Sequence, residues 1–187
     1  MNVIQTELPG ALIIEPRVFG DARGFFMETW QRQRYAEVGI PEQFVQDNVS
    51  FSGRGILRGL HYQHPQAQGK LVYVLQGEVY DVAVDIRVGS PHFGQAVGVT
   101  LSADNKRQFY VPPGFAHGFC VTSDTALFVY KCTEFYNAAA EGSVRWDDPQ
   151  IGIEWPVRAP TLSDKDLQAP LLKDIPSDRL SVWHDSP

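Results

Sequence analysis

Cysteine is scarce: two residues in 187, too few for a disulfide framework or a thiolate zinc cage. Both, Cys120 and Cys132, stand in apolar runs and read as buried, reduced side chains. No apolar run approaches the roughly eighteen residues of a membrane span. The opening Met1-Asn2-Val3-Ile4-Gln5-Thr6-Glu7 has no basic segment ahead of an apolar core, so no secretory signal is expected, and the expected location is cytoplasmic. Positive charge is in deficit, 16 Lys and Arg against 22 Asp and Glu, for a net charge of −6. That argues against a nucleic-acid partner, which needs a basic face. An anionic small molecule remains open, provided the cations gather in one place. Helix signals are also few: only residues 31–38 read convincingly, stopped by Gly39 and Pro41. No repeat, low-complexity stretch or linker divides the chain, and residues 1–187 are read as a single domain.

What the chain does have is strands. Residues 71–75 and 78–87, separated by Gln76-Gly77, read as a hairpin about a glycine turn. In the second arm Tyr80, Val82, Val84 and Ile86 share one face; Val79, Asp81, Ala83 and Asp85 share the other. Two aspartates there suggest a pocket wall, or for Asp85 a solvated outer face. Further runs lie at 11–15, 24–30, 44–51, 55–62, 95–101, 108–111, 117–122 and 126–135, set apart by polar turns. Many short strands with one short helix point to an all-β fold, a jelly-roll sandwich or barrel. From Trp146 onward Pro149, Pro156, Pro160, Pro170 and Pro176 break the pattern into a tail expected to wrap that body. Within it, residues 162–167 read as one helical turn capped by Ser163.

Two segments concentrate chemistry: Gly55-Ile56-Leu57-Arg58-Gly59-Leu60-His61-Tyr62-Gln63 and Pro112-Pro113-Gly114-Phe115-Ala116-His117-Gly118-Phe119. Each sets one histidine in a strand-like run. Arg23, Arg58 and Lys70 supply charge for an anion, and Phe26, Tyr62 and Tyr136 offer rings for stacking. The spacing Pro112-x-Gly114-x-x-His117 resembles the second motif of the cupin superfamily. Metal cupins complete their site with an earlier His-x-His pair. Here the strand period puts His61 and His64 on opposite faces, leaving only His61 and His117 to converge. A divalent ion needs three or more protein ligands, and only an unusual site using Glu78 or Asp81 would supply them. No metal is therefore expected.

The full set of segments resembles one cupin family, the dTDP-4-dehydrorhamnose 3,5-epimerases, or RmlC type. The matching pieces are Phe19-Gly20-Asp21-Ala22-Arg23-Gly24-Phe25-Phe26-Met27-Glu28, Phe44-Val45-Gln46-Asp47-Asn48, Leu57-Arg58-Gly59-Leu60-His61-Tyr62-Gln63, Gly69-Lys70-Leu71-Val72, Asp81-Val82-Ala83-Val84-Asp85-Ile86-Arg87, Pro113-Gly114-Phe115-Ala116-His117-Gly118-Phe119, Tyr130-Lys131 and Leu162-Ser163-Asp164-Lys165-Asp166. Each piece is weak alone; eight in this order are specific. The resemblance implies a cofactor-free enzyme that inverts C3 and C5 of dTDP-4-keto-6-deoxy-D-glucose. Both carbons flank the C4 ketone, so loss of either proton gives an enolate.

By this resemblance His61 is the base, of a residue type that titrates near neutrality, and Asp166 its partner, with Asp164 and Asp81 as rivals. Tyr130 is the acid on the other face, and Lys70 stabilises the enolate oxygen. The resemblance assigns Arg23 and Arg58 to the diphosphate, and Glu28, Gln46 and Asn48 to the nucleotide. Phe26 and Tyr136 sandwich thymine, while His117 and Phe119 line the sugar end. Arg23, Phe26 and Glu28 would reach the neighbouring subunit's site, implying a homodimer. From the residues alone, Tyr130 and Phe26 read as core, and His64, His92 and His184 as surface. The rivals are a single-centre epimerase or 3,4-ketoisomerase of a related sugar, a sugar-nucleotide-binding cupin without catalysis, and a metal-dependent cupin.

Overall fold

Period-2 alternation resolves into strands throughout the computed structural model, which describes residues 1–40 and 43–184. In chain order these are β1 (Asn2–Gln5), β2 (Leu12–Glu15), β3 (Val18–Asp21), β4 (Gly24–Met27), β5 (Gln46–Gly53), β6 (Leu57–Gln63), β7 (Lys70–Gln76), β8 (Glu78–Asp85), β9 (Ala96–Ser102), β10 (Gln108–Val111), β11 (Phe115–Val121), β12 (Thr125–Cys132) and β13 (Glu141–Ser143). The helices are short: α1 (Arg32–Ala36) and α2 (Asp164–Leu167), followed by two 3₁₀ turns in the tail. Gln31 caps α1 by accepting the Arg34 N–H. The expected stop at Pro41 lies outside the described residues.

One sheet runs β1-β2-β10-β7-β12-β5 and the other β13-β6-β11-β8-β9, while β3 and β4 form a separate ribbon. The main core lies between the two sheets. Val72, Val74, Phe109 and Phe128 from the first meet Val79, Ala83, Leu101, Phe115 and Phe119 from the second. This is a sandwich of two antiparallel sheets rather than a closed barrel. The tail covers the outer face of the five-stranded sheet, packing Ile151, Ile153, Trp155, Leu172 and Leu180 over Leu60, Tyr62, Val82, Val84 and Ile86. Around α1, Tyr35 and Ile40 cover Leu12, Ile14, Leu71 and Tyr110 on the six-stranded sheet. The β5 end of that sheet's outer face stays open, with Val49 66% and Phe51 61% exposed.

The expected hairpin does not form. β7 pairs with β10 and β12, whereas β8 pairs with β11 and β9, so the chain changes sheets at Gln76-Gly77. Gly77 has φ +77°, and a Cβ there would lie 1.9 Å from the Thr125 carbonyl oxygen; the corner admits only glycine. The face alternation in β8 holds, but both faces are covered, one by the core and one by the tail. Asp85 is therefore buried, bound to Arg87 and Ser90, and not on a solvated surface.

β5 inverts the usual pattern. Gln46, Asn48, Ser50 and Ser52 point inward, while Val49 and Phe51 point out. Such a strand lines a polar cleft on one side and leaves an apolar face on the other.

Candidate active site

The cleft opens where β6 faces β5, β7 and β12. A bulge in β6 builds its first wall. The ladder to β11 pairs His117 with His61 and Phe119 with Arg58, so β6 holds one residue more than β11 over this span. Regular pleating would turn Arg58 and His61, three residues apart, to opposite faces; the bulge turns both inward. Glycines make it possible: a Cβ on Gly59 would sit 2.6 Å from the Gly118 Cα. Arg58 and His61 then line one hollow of about 330 Å³ with Ser163, Lys165 and Asp166.

His61 Nε2 lies 2.6 Å from Asp166 Oδ1. Asp166 is 3% exposed and also receives the Gly59 N–H through Oδ2. Burial raises its carboxyl, but the hydrogen bond and charge of His61, with Gly59 and Ser163, outweigh this and hold it below the ordinary aspartate range. An ionised carboxylate only accepts, so the Nε2 facing it carries a proton, and Nδ1 is the nitrogen that holds the lone pair whenever the ring is neutral. Nδ1 has no hydrogen-bond partner among the described residues. The expected cap is present: Ser163 Oγ accepts the Asp166 N–H at the start of α2. The preceding segment is pinned to β6 by the Leu57 N–H to Thr161 bond and the Thr161 N–H to Gly55 bond.

The six-stranded sheet supplies the facing wall. Lys70, Cys132 and Gln46 lie in one lateral row, and Val72, Tyr130 and Asn48 in the next. With His61, Gln63, Gln68, Tyr136 and Glu141 these polar groups and Tyr130 surround a second hollow contiguous with the first at His61. Burial pushes the Tyr130 phenol up, so it stays protonated well above neutrality. Burial pushes the Lys70 ammonium down, against Cys132, Asp81 and Glu141, which hold it up.

The structure gathers His61, Asp166, Lys70, Tyr130, Arg58, Gln46, Asn48 and Tyr136 around this cleft. Gln46 Oε1 accepts the Tyr136 N–H at 2.9 Å and Gln46 Nε2 donates to Asn48. Of the rivals for His61, Asp81 is bound by His117, with Nε2 at 2.9 and 3.0 Å from its two oxygens. His117 faces inward beside His61 but is nearly sealed, and Phe119 stacks on Phe128 with centroids 4.0 Å apart. Tyr62 borders the second hollow but packs under the tail at 8% exposure, so little of its ring is open for stacking. His64 is half-buried, with Ser181 beside it, rather than a free surface residue.

Arg23, Phe26 and Glu28 lie outside the cleft. Phe26, 70% exposed, is not core; it stands on the β3–β4 ribbon with Arg23, which pairs Asp21. Glu28 pairs Arg34. Sequence reasoning missed Glu141 and Lys165, whose ion pair crosses the cleft mouth and which also meets the Tyr136 hydroxyl. Glu141 sits on a three-residue strand after Ala138-Ala139-Ala140, where no periodicity marks it. No group of three His, Cys, Asp or Glu side chains among the described residues is placed to hold a metal ion; Glu78 instead accepts the Thr122 hydroxyl.

Comparison with known proteins places these features in context. Residues 5–174 match the family model described as dTDP-4-dehydrorhamnose 3,5-epimerase. The chain is 61% identical over 169 residues to the protein of that name from Shigella flexneri, covering 89% of this chain and 93% of that one. It is 57% identical to the one from Salmonella typhimurium, covering 92% and 96%. A solved structure of dTDP-6-deoxy-D-glucose-3,5-epimerase RmlC from Legionella pneumophila, in complex with dTDP-4-keto-L-rhamnose, is 55% identical. It superposes with a TM-score of 0.96 over 98% of each chain.

Proposed function

The chain belongs to the dTDP-4-dehydrorhamnose 3,5-epimerase family, and from that premise we propose that it inverts C3 and C5 of dTDP-4-keto-6-deoxy-D-glucose to give dTDP-4-keto-L-rhamnose. One observation carries the assignment of roles. The His61–Asp166 pair stands on the five-stranded side of the cleft, and Tyr130 with Lys70 on the six-stranded side. A sugar ring between them meets a base on one face and an acid on the other, the arrangement that inversion requires.

The C4 ketone acidifies the protons at C3 and C5, since either carbanion is an enolate. His61 Nδ1 takes the proton, and Asp166 stabilises the imidazolium through Nε2. Lys70 holds the negative charge developing on O4, a contact of the kind worth roughly 3 kcal/mol in an occluded site. Tyr130 returns a proton from the opposite side; its raised pKa keeps it loaded. Arg58 binds the diphosphate, while Gln46, Asn48 and Tyr136 hold the thymidine. His117 and Phe119 back the sugar pocket from below.

The enzyme works as a homodimer. The open Val49–Phe51 face and the β3–β4 ribbon with Phe25 and Phe26 expose large apolar side chains of the kind that subunit contacts cover. The ribbon carries Arg23 and Phe26, and Glu28 follows it, so these three complete the partner's nucleotide site. Buried free thiols at Cys120 and Cys132 suit a reducing cytoplasm. No described helix is long and apolar enough to cross a membrane.

The test is conversion of dTDP-4-keto-6-deoxy-D-glucose by the purified protein, read as sugar stereochemistry by NMR. Formation of the L-sugar supports the proposal; tight substrate binding without conversion overturns it in favour of a binding protein.

A further inference from the structure

The cations of this chain are held in two different ways. Arg54 is bound by Asp124, Arg87 by Asp85 and Arg107 by Glu15; in each case a carboxylate fixes the guanidinium and cancels its charge. Arg58 is fixed by a neutral group. Its Nε donates to Ser52 Oγ at 3.1 Å, and its two Nη groups have no hydrogen-bond or ion-pair partner among the described residues. The guanidinium is exposed and lines the same hollow as His61, Ser163 and Lys165.

Ser52 is well suited to hold it. It is 6% exposed, and the β5–β12 ladder, which pairs it with Ala126, fixes its backbone. It closes the inward polar row of β5, whose other end, Gln46, anchors the Tyr136 backbone. One strand thus braces a group at each end of the nucleotide site. A clamp at Nε leaves the terminal fork of an arginine free, and that fork matches two phosphate oxygens.

We propose that Ser52 is a positioning residue for diphosphate recognition, orienting Arg58 without neutralising it so that both Nη groups project into the cleft as a preformed fork. The proposal rests on the reading of Arg58 as the diphosphate ligand. A carboxylate at position 52 would hold the side chain equally well but compete with the phosphates for its charge. A hydroxyl supplies orientation alone, which lowers the entropy cost of binding.

The experiment is calorimetric titration of the purified full-length protein with dTDP and, separately, with thymidine. In Ser52→Ala, dTDP binding should weaken about tenfold, the loss of one hydrogen bond to a charged group, while thymidine binding stays unchanged. Ser52→Thr keeps the acceptor and should restore dTDP affinity. Ser52→Asp should weaken it more than alanine does. Ser52→Ala/Arg58→Ala should bind dTDP no more weakly than Arg58→Ala. In turnover, Ser52→Ala should raise KM for the sugar nucleotide and leave kcat in place. Equal losses for dTDP and thymidine would mark Ser52 as merely structural. Unchanged dTDP binding in Ser52→Ala, with a loss in Arg58→Ala, overturns the positioning role while the reading of Arg58 stands. Unchanged dTDP binding in Arg58→Ala overturns that reading, and Ser52's role with it.

Discussion

Two histidine–aspartate pairs sit side by side on the same sheet, and they have opposite characters. His61 and His117 are cross-strand partners. His61 keeps 32% of its side chain exposed to the cleft, while His117 keeps 7% and its partner Asp81 none. Asp166 comes from the tail, contacts His61 through one oxygen and is held below its ordinary range by its hydrogen bonds. Asp81 comes from a central strand, and burial pushes it up despite His117 and Lys70. The same two residue types thus make an open pair, with one imidazole nitrogen facing the cleft, and a nearly sealed one that braces the cleft from behind; under the proposed function only the first exchanges protons. Access decides the role, and the bulge in β6 decides access.

The comparison is broken most severely at His61. His61→Asn should lower kcat by about 10³-fold or more while dTDP binding persists, because the nucleotide contacts lie elsewhere; steady-state kinetics beside calorimetry check both. Asp166→Ala should cost about 10²-fold or more in kcat with little change in melting temperature. Asp81→Ala should do the reverse. It leaves buried His117 unpaired at a cost of about 2 kcal/mol, a fall of roughly 4–8 °C in Tm for a chain of this size. If Asp81→Ala impairs kcat more than Asp166→Ala does, the two pairs have been assigned the wrong way round.

Smaller effects sharpen the facing wall. Tyr130→Phe should still exchange a substrate proton with solvent but fail to complete inversion, which NMR of the sugar detects; native rates of L-sugar formation would remove Tyr130 as the acid. Lys70 should give kcat/KM an alkaline limb below the ordinary lysine pKa of about 10.4. Burial lowers this ammonium, so it is lost early as pH rises, and its enolate contact with it. Lys70→Arg should carry that limb to higher pH, since guanidinium stays charged beyond about pH 12; an unmoved limb assigns it to another group.

Much of this was legible in the chain. The alternation in β8 correctly sorts Val82, Val84 and Ile86 from Asp81 and Ala83, because every residue there obeys a strict period. The turn at Gln76-Gly77 was misread, since a tight glycine corner between sheets and one within a hairpin use the same residues. Period alone also separates Arg58 from His61, and only the bulge against Gly118 reunites them. Asp166 is named as the partner of His61 only through the family resemblance, with Asp164 and Asp81 as rivals; the residues alone do not choose, because the tail's path is fixed by long-range bonds such as Leu57 to Thr161 that no local pattern encodes. Glu141 and Lys165 were hidden for the same reason.

The most direct measurement is solvent deuterium incorporation during turnover of dTDP-4-keto-6-deoxy-D-glucose, read by NMR for the wild type and His61→Asn. The wild type should carry deuterium at both C3 and C5 with the L configuration, and the variant at neither. Label at a single carbon in the wild type would contradict double inversion, and wild-type exchange rates in the variant would contradict His61 as the base.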